Sequence, residues 1–96
     1  MIYEWDGAKA STNLRKHKVS FAEAASVFLD PLALSFFDPD HSDEEDREIT
    51  IGISSRKRAL FVSHCERGGR IRIISARKAT RKERLQYEKS VSKESR

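Results

Sequence analysis

Ninety-six residues with a formal net charge of +4, 35% of them charged, support one domain with a thin core and leave no room for a second. No apolar run approaches the ~20 residues that span a bilayer. The opening MIYEWDGAKAS carries acids and a Trp where a secretory leader needs basic residues and an apolar stretch, so a cytoplasmic chain without membrane contact is expected.

MIYEW predicts a short opening strand. Asp6 then caps a helix over 7–17, with Ala10 and Leu14 on its inner side and Lys9, Asn13, Lys16 and His17 as an outer polar stripe. Ser20 with Glu23 forms a capping box ahead of FAEAASVFL, where Phe21, Ala25, Phe28 and Leu29 share a face, and Asp30-Pro31 ends that helix. LALSFF (32–37) reads as a strand, and the acidic DPDHSDEEDRE (38–48) as a loop with seven acids and one base. ITIGIS, ALFVSHCE and RIRIISAR follow as three strands joined by tight turns, too close for helices between them, which makes an antiparallel meander. Thr80 with Glu83 opens a final helix whose apolar stripe is narrow, essentially Leu85 with Tyr87 and Val91, so it must dock to be stable. Residues 92–96 are expected to fray. A strand, two helices, an antiparallel sheet and a closing helix, with the helices gathered on one side, define an α+β domain over residues 1–96.

The charge is unevenly placed. From Arg56 to Arg96 there are fourteen Lys or Arg against four acids, which suits either a polyanionic partner or a solvated surface with one basic end. Strand alternation sets Arg77 on the same side as Ile71 and Ile73, emerging where the sheet meets the last helix. Lys78, Arg81, Lys82 and Arg84 follow within seven positions, more bases than pairing with Glu83 or Glu88 requires, so a phosphate site is favoured over surface ion pairs. Among the three histidines, His41 lies in the acidic loop near Glu44 and Glu45, and His17 lies on the first helix. His64 shares a strand face with Leu60 and Val62 as a half-buried core residue, and the lone Cys65 beside it is a small buried hydrophobe. One Cys and three scattered His form no zinc pattern, and no cofactor is expected.

Three segments together, MIYEWDGAKASTNLRKHKVSFAEAASVFLDP, DPDHSDEEDREITIGIS and RIRIISARKATRKERLQYE, resemble the BrnT toxins of bacterial toxin–antitoxin pairs. The resemblance runs from Glu4 to Glu88, and the combination of N-x-x-K-H, HS-x-x-E and RIISAR-K-A-T-x-x-E-R is specific. Two positions depart from the family pattern: Lys18 and Lys57 stand where Gly is usual. The resemblance implies a RelE-like fold and a metal-independent endoribonuclease that arrests translation. It also implies neutralisation by a BrnA-type antitoxin, in a heterotetramer that reaches operator DNA only through the antitoxin.

Under that reading the chemistry is attack of an RNA 2′-hydroxyl on the neighbouring phosphate, which needs a base, an acid and cations for the developing charge. Arg58, Arg77 and Arg81 are assigned to the phosphate, His41 with Glu45 to proton transfer, and Tyr87 to proton donation or base stacking. Lys16, His17, Lys78, Lys82 and Arg84 are the further RNA-binding candidates. The rival readings are a non-catalytic nucleic-acid-binding or corepressor subunit, and a protein whose basic end only docks an acidic partner. No helix-turn-helix, zinc-finger or RNP signature supports the first of these.

Overall fold

The computed structural model describes residues 1–40 and 46–94. Strand β1 (Ile2–Glu4) leads into helix α1 (Gly7–His17), and the Asp6 side chain accepts from the N–H groups of Ala8 and Lys9 as the sequence predicts. Helix α2 (Phe21–Ser26) tightens into a 3-10 turn at Val27–Leu29. Strands β2 (Leu34–Phe37), β3 (Glu48–Ile53), β4 (Ala59–Arg67) and β5 (Arg70–Lys78) follow, and α3 (Arg81–Glu94) closes the chain, its helix continuing through residues 92–94. The sheet order is β1-β5-β4-β3-β2, antiparallel from β2 to β5, with β1 added in parallel to β5. Gly68 and Gly69, both at positive φ, make the two-residue turn between β4 and β5.

One sheet face packs against α1 and α2 through Val19, Phe21, Ala24 and Val27, set against Leu60, Val62, Ile71, Ile73 and Ala76. The predicted inner face of α2 is corrected here: Ala24 and Val27 point inward, while Leu29 is 80% exposed. The tightening at Val27 rotates Leu29 out to solvent. Ile49, Ile51 and Ile53 alternate to the opposite face. Ile53 and Tyr87 line one hollow there, so α3 covers this second face. The helices therefore flank the sheet rather than gathering on one side of it. The α+β assignment holds.

An irregularity in β5 revises the facing of Arg77. His64 pairs with Ile73 and Ser63 with Ser75, which leaves Ile74 as an extra residue. The bulge inverts the alternation beyond it: Ala76 joins Ile71 and Ile73 in the core, and Arg77 turns to the opposite face, its guanidinium carbon 4.0 Å from the centre of the Phe61 ring. His64 and Cys65 are buried, as expected.

Helix α1 also sits differently from its predicted orientation. Leu14, expected inside, is 50% exposed, and Asn13, expected on the outer stripe, is buried. The short β1 pairs only with Arg70 to Arg72, so the rest of that β5 edge needs other hydrogen-bond partners. Asn13 supplies them. Its Nδ2 donates to the carbonyls of Ala76 (2.8 Å) and Val19 (2.9 Å), and its Oδ1 accepts from the Ala76 N–H (3.1 Å). An apolar residue cannot do this, and the strand edge therefore selects the polar face of α1.

Candidate functional site

Two of the three arginines assigned to the phosphate, Arg58 and Arg77, are held by carboxylates. Arg58 forks onto Glu23: Nε donates to Oε2 at 2.9 Å, Nη2 donates to Oε1, and Nη2 also reaches the Lys18 carbonyl at 3.0 Å. The Ser54 hydroxyl donates to the same carboxylate at 2.6 Å. Glu23 was expected to complete a capping box with Ser20. Only half of that box forms, with Ser20 Oγ accepting from the Glu23 N–H, because the carboxylate is committed to Arg58 and Ser54. The Arg58 hydrogen bond holds the Glu23 carboxyl below its usual range against the opposing effect of burial, and Glu23 in turn raises Arg58.

Arg77 makes a matching fork with Glu83 at 2.8 and 2.9 Å. Glu83 also accepts from the Thr80 N–H while Thr80 Oγ1 accepts from the Glu83 N–H, so here the predicted capping box is complete. Burial would raise the Glu83 carboxyl, but the Arg77 and Thr80 hydrogen bonds outweigh it and lower it. Pairing between Arg77 and Glu83, one of the two options open in the sequence, is present.

Tyr87 donates to Asp30 Oδ2 at 2.7 Å, and the same carboxylate accepts from the N–H groups of Ile53 and Leu32. Burial, then the Asp30 carboxylate, pushes the Tyr87 phenol up to about 12. This tie docks α3, whose Leu85 is 47% exposed and adds little. Tyr87, Arg84 and Glu88 of α3 face Ile53, Lys57 and Ala59 across a hollow of about 230 Å³. Lys78, Arg81, Lys82 and Arg84 are exposed and form no ion pair with another described residue. His41 and Glu45 lie outside the described residues.

A second cationic hollow, of about 360 Å³, lies between α1 and the β5 bulge. Lys9, Thr12, Asn13, Lys16 and His17 line it from the helix, and Ile74 and Ser75 from the strand. The sequence singled out Lys16 and His17, but nothing in it placed Ser75 or the bulge beside them. His64, by contrast, is withdrawn: its Nε2 lies 2.7 Å from Thr50 Oγ1, and burial lowers its pKa to about 4. Among the described residues no group of three or more His, Cys, Asp or Glu is arranged to hold a metal ion.

Residues 5–83 match the family model described as the ribonuclease toxin BrnT of type II toxin–antitoxin systems. The fold is similar to that of the Brucella abortus ribonuclease toxin BrnT, solved at 1.1 Å resolution. The TM-score is 0.65 with 26% sequence identity, over 84% of this chain and 100% of that one. No curated protein matches the chain.

Proposed function

This chain belongs to the BrnT family of ribonuclease toxins of type II toxin–antitoxin systems, and we propose on that premise that it cuts RNA without a metal ion to arrest translation. The observation that carries the reading is a set of exposed cations from three segments that form no ion pair with another described residue, two of which, Lys57 and Arg84, line one hollow. Lys57 enters from the β3–β4 turn, Lys78 from the end of β5, and Arg81, Lys82 and Arg84 from α3. Together they suit a polyanionic backbone, which binds largely by releasing its counterions. Arg58 is held on the α2 side by Glu23 and the Lys18 carbonyl, and Arg77 lies on the opposite face in its fork with Glu83. Arg77 joins the phosphate site by exchanging Glu83 for an RNA phosphate, one anion for another on the same fork. A phenol held near 12 keeps its proton at neutral pH, so Tyr87 anchors α3 and offers its ring for base stacking. The sequence reading gave proton transfer to His41 with Glu45, which lie outside the described residues.

In the cell, the proposal includes neutralisation in the cytoplasm by a BrnA-type antitoxin, in a complex with two copies of each partner that meets operator DNA through the antitoxin. The test incubates the purified chain with total RNA, with and without ribosomes and with and without a chelator. The expected products carry cyclic phosphate ends, and their yield is indifferent to the chelator. Intact RNA in every arm refutes the proposal, and operator binding by the chain alone supports the corepressor reading instead.

A further inference from the structure

The α1–β5 hollow has more than charge in common with a nucleotide site. Basic residues at a helix C-terminus are ordinary, because they complement the helix dipole, and Arg15, Lys16 and His17 fill that role in α1. The dipole does not explain why Lys9, two turns earlier, opens onto the same hollow. It also does not explain the Thr12 and Ser75 hydroxyls that flank the hollow, or the β5 bulge that forms its far wall. Asn13 fixes that wall by holding both backbone polar groups of Ala76. The lining thus includes two lysines, one histidine and the hydroxyl-bearing Thr12 and Ser75, on walls that Ala8, Ile74 and the lysine stems make more apolar than polar. Of the two histidines among the described residues, His64 is sealed in the core on Thr50, whereas His17 opens onto the hollow.

We infer that this hollow holds the scissile nucleotide of a single-stranded RNA and that His17 is the proton carrier of the cleavage. The inference rests on the ribonuclease reading above and assigns its catalytic centre. His17 takes the proton of the 2′-hydroxyl as the O2′–P bond forms and the P–O5′ bond breaks. The departing 5′ oxygen takes a proton from water, and the imidazolium returns its own proton to the resulting hydroxide, so the protons balance. Lys16 and Lys9 face the phosphate oxygens, where charge grows during the attack. Ser75 and Lys78 lie three residues apart on β5, about 10 Å along the strand. An RNA strand seated in the hollow therefore reaches Lys78 at the end of β5.

The experiment compares the intact chain with His17→Gln and with the double variant Lys9→Ala/Lys16→Ala. RNA cleavage is measured by single-turnover kinetics, RNA binding by titration at several salt concentrations, and folding by thermal melting. His17→Gln is expected to slow cleavage by about 100-fold or more while changing RNA affinity less than about threefold. The double variant is expected to weaken binding and to reduce the salt slope by about two charges. An active wild-type chain whose folded His17→Gln variant cleaves at the same rate overturns the inference and leaves the ribonuclease reading intact. If His17→Gln does not fold, an unchanged salt slope and rate in the double variant overturn it equally. A wild-type chain that cleaves no RNA refutes both.

Discussion

Replacing Asn13 with Leu keeps the branching of the side chain at Cγ and deletes an amide on which three backbone groups depend. The Ala76 N–H, the Ala76 carbonyl and the Val19 carbonyl all take their hydrogen bonds from or to this one side chain, which is 6% exposed. A buried polar group deprived of its partner costs about 1–3 kcal/mol, and three groups around one site do not add fully, so the loss is about 3–5 kcal/mol. That is a large share of the roughly 5–15 kcal/mol that a domain of this size possesses. At about 4–8 °C per kcal/mol, the melting temperature falls by at least ~12 °C. Thermal melting and urea titration check this, the urea midpoint dropping while the slope is kept. Asn13→Asp is a sharper companion. It keeps an acceptor for the Ala76 N–H but points oxygen at two carbonyls, so it too is destabilised at neutral pH and regains stability as acid supplies a donor proton. A folded Asn13→Leu variant that melts within ~4 °C of the wild type refutes the claim that Asn13 closes the β5 edge.

Lys18 and Lys57 adopt φ of 60° and 63°, the only non-glycine residues at positive φ among the described residues. Glycine relieves about 1–2 kcal/mol of left-handed strain at each and returns about 0.5–1 kcal/mol in unfolded-chain freedom. The net gain reaches about 1.5 kcal/mol per site, so the double variant Lys18→Gly/Lys57→Gly should melt higher than the wild type, and an unchanged or lower melting point counts against the strain argument. His64, lowered to about 4 by burial, binds no proton in the folded chain at pH 5, whereas an unfolded histidine titrates near 6.5. The unfolded state therefore takes up more protons, and stability falls as the pH drops from about 6.5 towards 4. Between pH 7 and 5 the loss is about 2 kcal/mol, ahead of the window in which the lowered carboxyls of Glu23, Asp30 and Glu83 are protonated. Denaturation of His64→Gln over the same range should show a flatter profile, and identical pH slopes would remove His64 as the cause.

Much of this protein was determined by local sequence. Asp6, Ser20 and Thr80 cap their helices because a short polar side chain ahead of a helix meets orphan N–H groups whatever lies elsewhere. The Gly68-Gly69 turn and the three strands around it follow from φ freedom and period-two patterning. The basic surface of α3 was legible as composition, and the motif combination pointed to the family that residues 5–83 match. What only the tertiary structure decided are the partners that are distant in sequence. Glu23 meets Arg58, Asp30 meets Tyr87, and Asn13 meets Ala76 across separations of 35, 57 and 63 residues. Periodicity says which side chains share a face, but it carries no record of which strand edge lies opposite. A single extra residue, Ile74, was enough to turn Arg77 to the other side of the sheet. The same bulge brings Ser75 beside Lys16 and His17, so the hollow between α1 and β5 exists only once the chain has folded.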